Sequence, residues 1–149
     1  MYDSEADTKE HIDRVQQFMA VMVGQLAHRR AIHDKSKLEP PEKPMYDEFT
    51  PKLRELTYGS DEYKACLAQM GPALQHHYAA NSHHPEHYKN GINGMNLLDL
   101  VEMLADWKAA GMRHADGDMS KSMEINRVRF GMSDQLFGIF QNTLAELGW

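Results

Sequence analysis

The chain has 149 residues, of which 42% are hydrophobic and 26% are charged, and its formal net charge is -6. This length fits one domain with its own hydrophobic core and is too short for two domains of ordinary size. The acidic balance argues against a broad nucleic-acid surface, since such surfaces are rich in lysine and arginine. A local basic site for one small phosphorylated molecule remains compatible with this charge.

Other features of the composition concern compartment and membrane. No apolar run approaches the length that crosses a bilayer, so we expect no membrane partner. Residues 1–7 are acidic and lack the basic and apolar regions of a signal peptide. Cys66 is the single cysteine, which excludes an intramolecular disulfide. These features favour a cytoplasmic protein.

The N-terminal half carries a helical pattern and then a proline-rich segment. Apolar residues recur at helical spacing and predict a helix over about residues 8–34, with a break near Gly24. Residues 38–51 contain several prolines, which remove backbone donors and disfavour helix at the preceding residue. We therefore expect a loop there, with at most one short helical turn.

The middle of the chain predicts two further helical regions. A helix is expected over residues 60–80, although Gly71-Pro72 should interrupt and restart it. Residues 85–94 read as a loop. Residues 95–111 form an amphipathic pattern that ends at a glycine, and three acids, Asp99, Glu102 and Asp106, share one side of it.

The C-terminal part predicts helices over residues 120–130 and 133–147, each opened by a serine cap. No repeat and no convincing strand pattern accompanies them. The pattern as a whole predicts an all-α fold in a single domain over residues 1–149.

Histidine is the unusual residue type, with nine in the chain. Those between residues 76 and 87 form a cluster: His76, His77, His83, His84 and His87. Imidazole suits transition metals, so the cluster favours a metal site. The plain alternative is a polar surface segment or a helix-capping network. The solitary histidines His28 and His114 are interpreted as surface or hydrogen-bonded residues.

The adjacent His33 and Asp34 provide two further candidate ligands. An imidazole and a carboxylate together can bind one or two divalent cations, and the carboxylate can bridge two. Taken alone, such a dipeptide also arises by chance.

Three segments in order resemble the signature of the HD superfamily of metal-dependent phosphohydrolases. They are His11-Ile-Asp-Arg-Val, His33-Asp34-Lys-Ser-Lys37 and Glu102-Met-Leu-Ala-Asp106-Trp. Between them, His77 and His83-His84 resemble the extra histidines with which binuclear members, including the HD-GYP cyclic-dinucleotide phosphodiesterases, hold a second metal. The Gly-Tyr-Pro element is absent, so cyclic-dinucleotide specificity is not implied. The likeness covers about residues 8–110.

The chain is also similar to an uncharacterised family of short bacterial and phage proteins. The shared text is His-Asp-x-Ser-Lys, Asn-x-His-His-Pro-Glu-His and Glu-Met-x-x-Asp-Trp. This second resemblance implies no activity.

The HD resemblance implies an HD-like helical bundle with two divalent cations, drawn from Mn, Fe, Mg, Co, Ni or Zn. The implied ligands are His11, His33, Asp34, His77, His83, His84 and Asp106. Asp34 would bridge the two ions. On one continuous helix His11 and His33 would lie roughly 33 Å apart. The chain would have to turn back between them, and Gly24 is the expected place.

The implied activity is hydrolysis of a nucleotide or another small phosphate ester, including a cyclic or linear dinucleotide. The cations would polarise the phosphoryl group and lower the pKa of the attacking water. Lys37, otherwise a solvated lysine, would neutralise charge on the phosphate oxygens, and Glu86 or a neighbouring histidine would orient the nucleophile or leaving group. Arg127 and Arg129, otherwise surface residues, would bind phosphate or base if the C-terminal helices cover the site.

Two other classes of function stay open at this stage. Some HD-type proteins use a di-iron centre to activate oxygen, and iron with a redox-active spectrum would favour that class. A catalytically silent module, in which metal stabilises the helices around a ligand, would lose its fold on chelation without showing turnover. A homo-oligomer is compatible with each of the three.

Overall fold

The computed structural model describes residues 2–112 and 118–149, and all regular secondary structure in these residues is helical, with no strand, as predicted. The α-helices are α1 (Glu5–Ile32), α2 (Glu42–Arg54), α3 (Asp61–Gln69), α4 (Gly71–Ala80), α5 (Leu97–Gly111), α6 (Met119–Phe130) and α7 (Asp134–Leu147). Short 3-10 helices lie at Lys35–Leu38, Pro85–His87 and Gly91–Gly94. His114 lies outside the described residues.

The chain divides into two units at the end of α1. The first unit ends at His33 and the second begins at Asp34. The single-domain interpretation of residues 1–149 stays a prediction. Among the described residues, no helix combines the length and apolar character needed to cross a membrane.

Helix α1 makes up most of the first unit and corrects one expectation. It runs for 28 residues and passes through Gly24 without interruption. One glycine costs only about 1 kcal/mol relative to alanine in a helix interior, which the surrounding helix-forming residues outweigh. The expected reversal of the chain at Gly24 is therefore wrong.

Helix α2 corrects a second expectation, because residues 42–54 form a helix where a loop was predicted. Pro41 only precedes the helix, and Pro44 lies in its first turn, where backbone N–H groups have no intrahelical partner. Phe49 packs in a buried cluster with Cys66 and Met70. Burial of this face stabilises the helix despite its prolines.

The predicted interruption at Gly71-Pro72 is confirmed, since α3 ends at Gln69 and α4 begins at Gly71. The Ser60 side chain caps α3 by accepting from the Tyr63 N–H at 3.1 Å. Pro72 falls in the first turn of α4, where proline is tolerated.

The last three helices share a hydrophobic core that includes Met103 and Leu104 of α5, Met123 of α6 and Phe140 of α7. Helix α6 begins one residue before the predicted start, and its cap is Asp118 rather than a serine. Ser133 caps α7 as predicted.

Asn96 is the N-cap of α5, and its side chain and that of Asp99 form a capping box. Asp99 is fully buried and accepts from Ser82 at 2.8 Å and from Tyr88 at 2.6 Å. These bonds tie the start of α5 to the histidine-bearing segment between α4 and α5.

Candidate metal site

Four predicted ligands of the second unit come together where α4 ends. One ligand atom from each lies within 4.8 Å of the others: Asp34, His77, His83 and His84. Asp34 adopts a left-handed backbone (φ 56°) at the start of the 3-10 helix Lys35–Leu38. His77 projects from α4, and the other two histidines follow that helix directly.

Each of the two fully buried histidines, His77 and His83, contacts a carboxylate through Nδ1. His77 Nδ1 lies 2.8 Å from Oε2 of Glu42, and His83 Nδ1 lies 3.2 Å from Oε1 of Glu102. An ionised carboxylate can only accept, so Nδ1 donates in each contact, and in the neutral form of each ring Nε2 then carries the lone pair. This is the arrangement in which metal-binding histidines are held by carboxylates.

The two Nε2 atoms converge on one carboxylate oxygen. Nε2 of His77 and Nε2 of His83 each lie 3.5 Å from Oδ1 of Asp34. All three atoms are acceptors in the assigned tautomers, so bringing them together favours a cation between them. Ligand atoms around a tetrahedral ion at about 2.1 Å lie about 3.4 Å apart, which matches this spacing.

His84 completes the group from the exposed side. Its Nε2 lies 2.8 Å from Nε2 of His77, and since the latter carries a lone pair, His84 donates this hydrogen bond. Burial, followed by the nearby His83 and His77, lowers the pKa of His84. The ring is therefore neutral at neutral pH and can become a ligand when its proton is displaced.

The supporting acid Glu42 is fully buried yet ionised. Burial alone would raise its pKa, but hydrogen bonds with His76, Ser36 and His77 together lower it. The pKa of His77 is lowered by burial and by Lys37, which outweigh Asp34 and Glu42. Neutral histidine beside ionised carboxylate is the protonation state that a divalent cation requires.

A polar network fixes the end of α4 to the segment after Asp34. The Asn81 side chain donates to Ser36 Oγ and to the backbone carbonyl of His77, both at 2.8 Å. Lys37 Nζ forms an ion pair with Asp34 Oδ2 at 2.5 Å and lies over the Tyr46 ring. Oδ1 of Asp34 is thereby turned towards the histidines.

Asp106 of α5 adds a further carboxylate to the group. One of its oxygens lies within 4.8 Å of an Asp34 oxygen. Of the predicted ligands, the second unit thus brings together Asp34, His77, His83, His84 and Asp106.

The other two predicted ligands, His11 and His33, belong to the first unit and lie at opposite ends of α1. His33 follows the last residue of α1 and directly precedes Asp34 in the chain, and its role as a ligand stays a prediction. His11 lies exposed on α1. Because α1 is continuous, roughly 33 Å separates these histidines, so they cannot bind the same ion within one chain.

The residues predicted to act on substrate have protein partners. Arg129 donates to Glu86 at 2.7 Å, and this ion pair raises the pKa of the arginine against the opposing effect of burial. Arg127 donates to Asp134 at 2.6 Å and lies over the Phe137 ring. Their predicted roles in catalysis and substrate binding stay predictions.

Sequence reasoning missed the two supporting acids. Glu42 was not identified as a candidate because its segment was expected to be a loop. Glu102 was placed on the same side of α5 as Asp106, and that spacing was the signal that could have identified it as a partner of the site.

These features define a class: an all-helical protein with histidine and carboxylate groups that could hold a metal ion. The model of DUF5662, described as a family of unknown function, matches residues 1–146, and the chain belongs to this family. No curated protein and no solved structure shows significant similarity to the chain.

Proposed function

We propose that the chain is a metal-dependent phosphohydrolase of the HD type that acts on a nucleotide or another small phosphate ester, a cyclic or linear dinucleotide included. The observation that carries the proposal is the convergence of Asp34 Oδ1 with Nε2 of His77 and His83, each ring backed by a carboxylate. Such backing fixes the tautomer and the orientation of a metal-binding histidine.

The charged side chains of Lys37 and Asp106 support phosphate chemistry in particular. Lys37 is half-buried beside Asp34 and could shift from this ion pair to a phosphate oxygen, whose negative charge it would neutralise. Asp106 lies close enough to Asp34 to share in holding a second ion. A divalent cation in such a site supplies Lewis acidity towards the phosphoryl group and lowers the pKa of water.

The chain's own groups would then perform distinct tasks. His77 and His83 would bind the cation through Nε2, held in orientation by Glu42 and Glu102. Asp34 would bind through Oδ1 while its other oxygen contacts Lys37. His84, which is only partly buried, would stand on the side that substrate approaches.

The first test is metal content. The purified chain, loaded separately with Mn²⁺, Fe²⁺ or Zn²⁺, is analysed by elemental analysis beside His77→Ala/His83→Ala and the control His28→Ala, which changes an exposed histidine of α1. We expect metal in the wild type and control and none in the double variant. Equal metal in all three proteins would reject the site.

The second test is turnover. Phosphate release or ester cleavage is measured across nucleotides and linear and cyclic dinucleotides with each metal-loaded protein. Hydrolysis lost in the double variant and kept in His28→Ala supports the proposal. Bound metal without hydrolysis of any of these esters would reject it in favour of a non-catalytic metal module, and oxygen consumption by the iron form would favour an oxygenase.

A further inference from the structure

Helix α1 carries a stripe of exposed apolar side chains. Ile12, Val15, Met19 and Met22 are 47%, 41%, 60% and 44% exposed. None of the residues of α1 is buried. Their spacing alternates between three and four residues, which is the heptad pattern of positions a and d in a coiled coil, and Leu26 continues it.

The flanks of the stripe are also apolar. Phe18 and Val23, at the adjoining g and e positions, are 71% and 63% exposed. Exposed apolar surface of this extent marks an interaction site in a protein that stays in solution. A partner helix of matching pattern would cover it.

The charges of α1 indicate which helix fits. Acids lie in its first turn, where Glu5 and Asp7 occur, and bases lie in its last turn, where Arg29 and Arg30 occur. Two copies side by side in the same direction would place like charges together. Two copies in opposite directions would place the acidic end of each beside the basic end of the other.

One antiparallel register satisfies the apolar and the charged positions together. When Val15 faces Met19 of a second copy, the heptad places Ile12 opposite the second copy's Met22. The same register carried to the helix ends places Glu5 opposite the second copy's Arg29. Hydrophobic layers in the centre thus coincide with opposite charges at both ends.

We propose that α1 pairs with α1 of a second copy as an antiparallel coiled coil, which makes the protein a homodimer. The inference rests on the pattern and exposure of α1 alone and is independent of the proposed activity.

The mass in solution tests the pairing. Sedimentation equilibrium of the full chain is compared with Val15→Glu/Met19→Glu and with the control Gln17→Glu/Val21→Glu. Both variants add two charges at the same spacing, but the control pair lies on the opposite side of α1. We expect twice the chain mass for the wild type and control and a single chain for the stripe variant.

Two readouts exclude a folding defect as the cause of dissociation. Far-UV circular dichroism and metal content of the stripe variant should match those of the wild type. A wild type that sediments as one chain at about 100 µM would overturn the proposal. A control that dissociates as fully as the stripe variant would also overturn it.

Cysteine pairing tests the direction. Ile12→Cys and Met22→Cys chains are prepared separately, oxidised alone and then oxidised as a mixture, with the wild type and its buried Cys66 as the blank. An antiparallel pair gives the mixed disulfide only. Efficient disulfides within each single variant would show a parallel pair and overturn the proposed register.

Discussion

The Nδ1 atom of His77 lies 2.8 Å from Oε2 of Glu42, and the two side chains are only 1% and 0% exposed. The other oxygen of Glu42 contacts His76 Nδ1 at 2.7 Å. An acid that does not face the candidate cation therefore determines which nitrogen of His77 is available to it.

Changing Glu42 to glutamine should weaken metal binding. The amide keeps the volume of the side chain but loses the charge that holds the proton on His77 Nδ1, so we expect affinity to fall by about 10- to 100-fold. Competition against a chromophoric chelator measures the change. Glu48→Gln, on the same helix and paired with Lys52 at the surface, is the control. Unchanged affinity in Glu42→Gln would contradict the orienting role.

Lys37→Ala should separate metal binding from turnover. The variant removes the cation beside Asp34 and leaves the ligand atoms, so metal content should stay while the rate of phosphate-ester hydrolysis falls at least about tenfold. Steady-state kinetics with an accepted substrate gives the measurement. Lys35→Ala, which changes an exposed lysine of the same 3-10 helix, should behave as wild type. A Lys37→Ala enzyme of full activity would rule out phosphate contact by this lysine.

The metal-free protein should lose stability on mild acidification. The pKa values of His77 and His84 are lowered below their ordinary value of 6.5, in both cases chiefly by burial. The unfolded chain therefore binds more protons as the pH falls through 6.5, and the free energy of unfolding decreases by at most about 1.4 kcal/mol per pH unit for each ring.

Urea unfolding at pH 7.5 and pH 5.5, in the presence of chelator, measures this loss. The lowered pKa of Glu42 acts in the same direction but only below its ordinary value of 4.5, outside this range. His77→Gln should show a shallower dependence on pH. Equal stability of the wild type at the two pH values would contradict neutral burial of these rings.

Asp99→Asn should destabilise the second unit. Oδ1 of Asp99 accepts from the Ser82 hydroxyl, and Oδ2 accepts from the Tyr88 hydroxyl and the Asn96 N–H. An amide has only one oxygen, so asparagine loses the charge and one of the two acceptor positions. We expect a loss of about 1–3 kcal/mol in the free energy of unfolding. The surface change Asp47→Asn should cost less than about 0.5 kcal/mol. Similar losses in both variants would mean that the buried bonds contribute little.

The helical fold was predictable because most of its signals are local. Ser133 is the cap that was expected, and Gly71-Pro72 separates two helices where it should. Residues 42–54 were missed because buried contacts of Phe49 override the local effect of proline, and such contacts join residues far apart in sequence.

The sequence identified candidate ligands that the structure brings together, but not the acids that contact them. Asp34, His77, His83 and His84 are residue types that bind metal, so composition and motif were sufficient to select them. Glu42 is distinguished from the other glutamates by its hydrogen bond with a histidine 35 positions later in the chain. The local sequence does not indicate that these two residues lie close together.

The left-handed backbone of Asp34 has a conformational cost, whereas its carboxylate makes contacts at the candidate site. A backbone at φ 56° is unfavourable for a residue other than glycine, although aspartate tolerates this region better than most residues. Glycine would relax the backbone and at the same time delete the carboxylate that faces the histidines. The conformational cost at Asp34 is therefore set against what its carboxylate contributes through Lys37 and through the histidines that it faces.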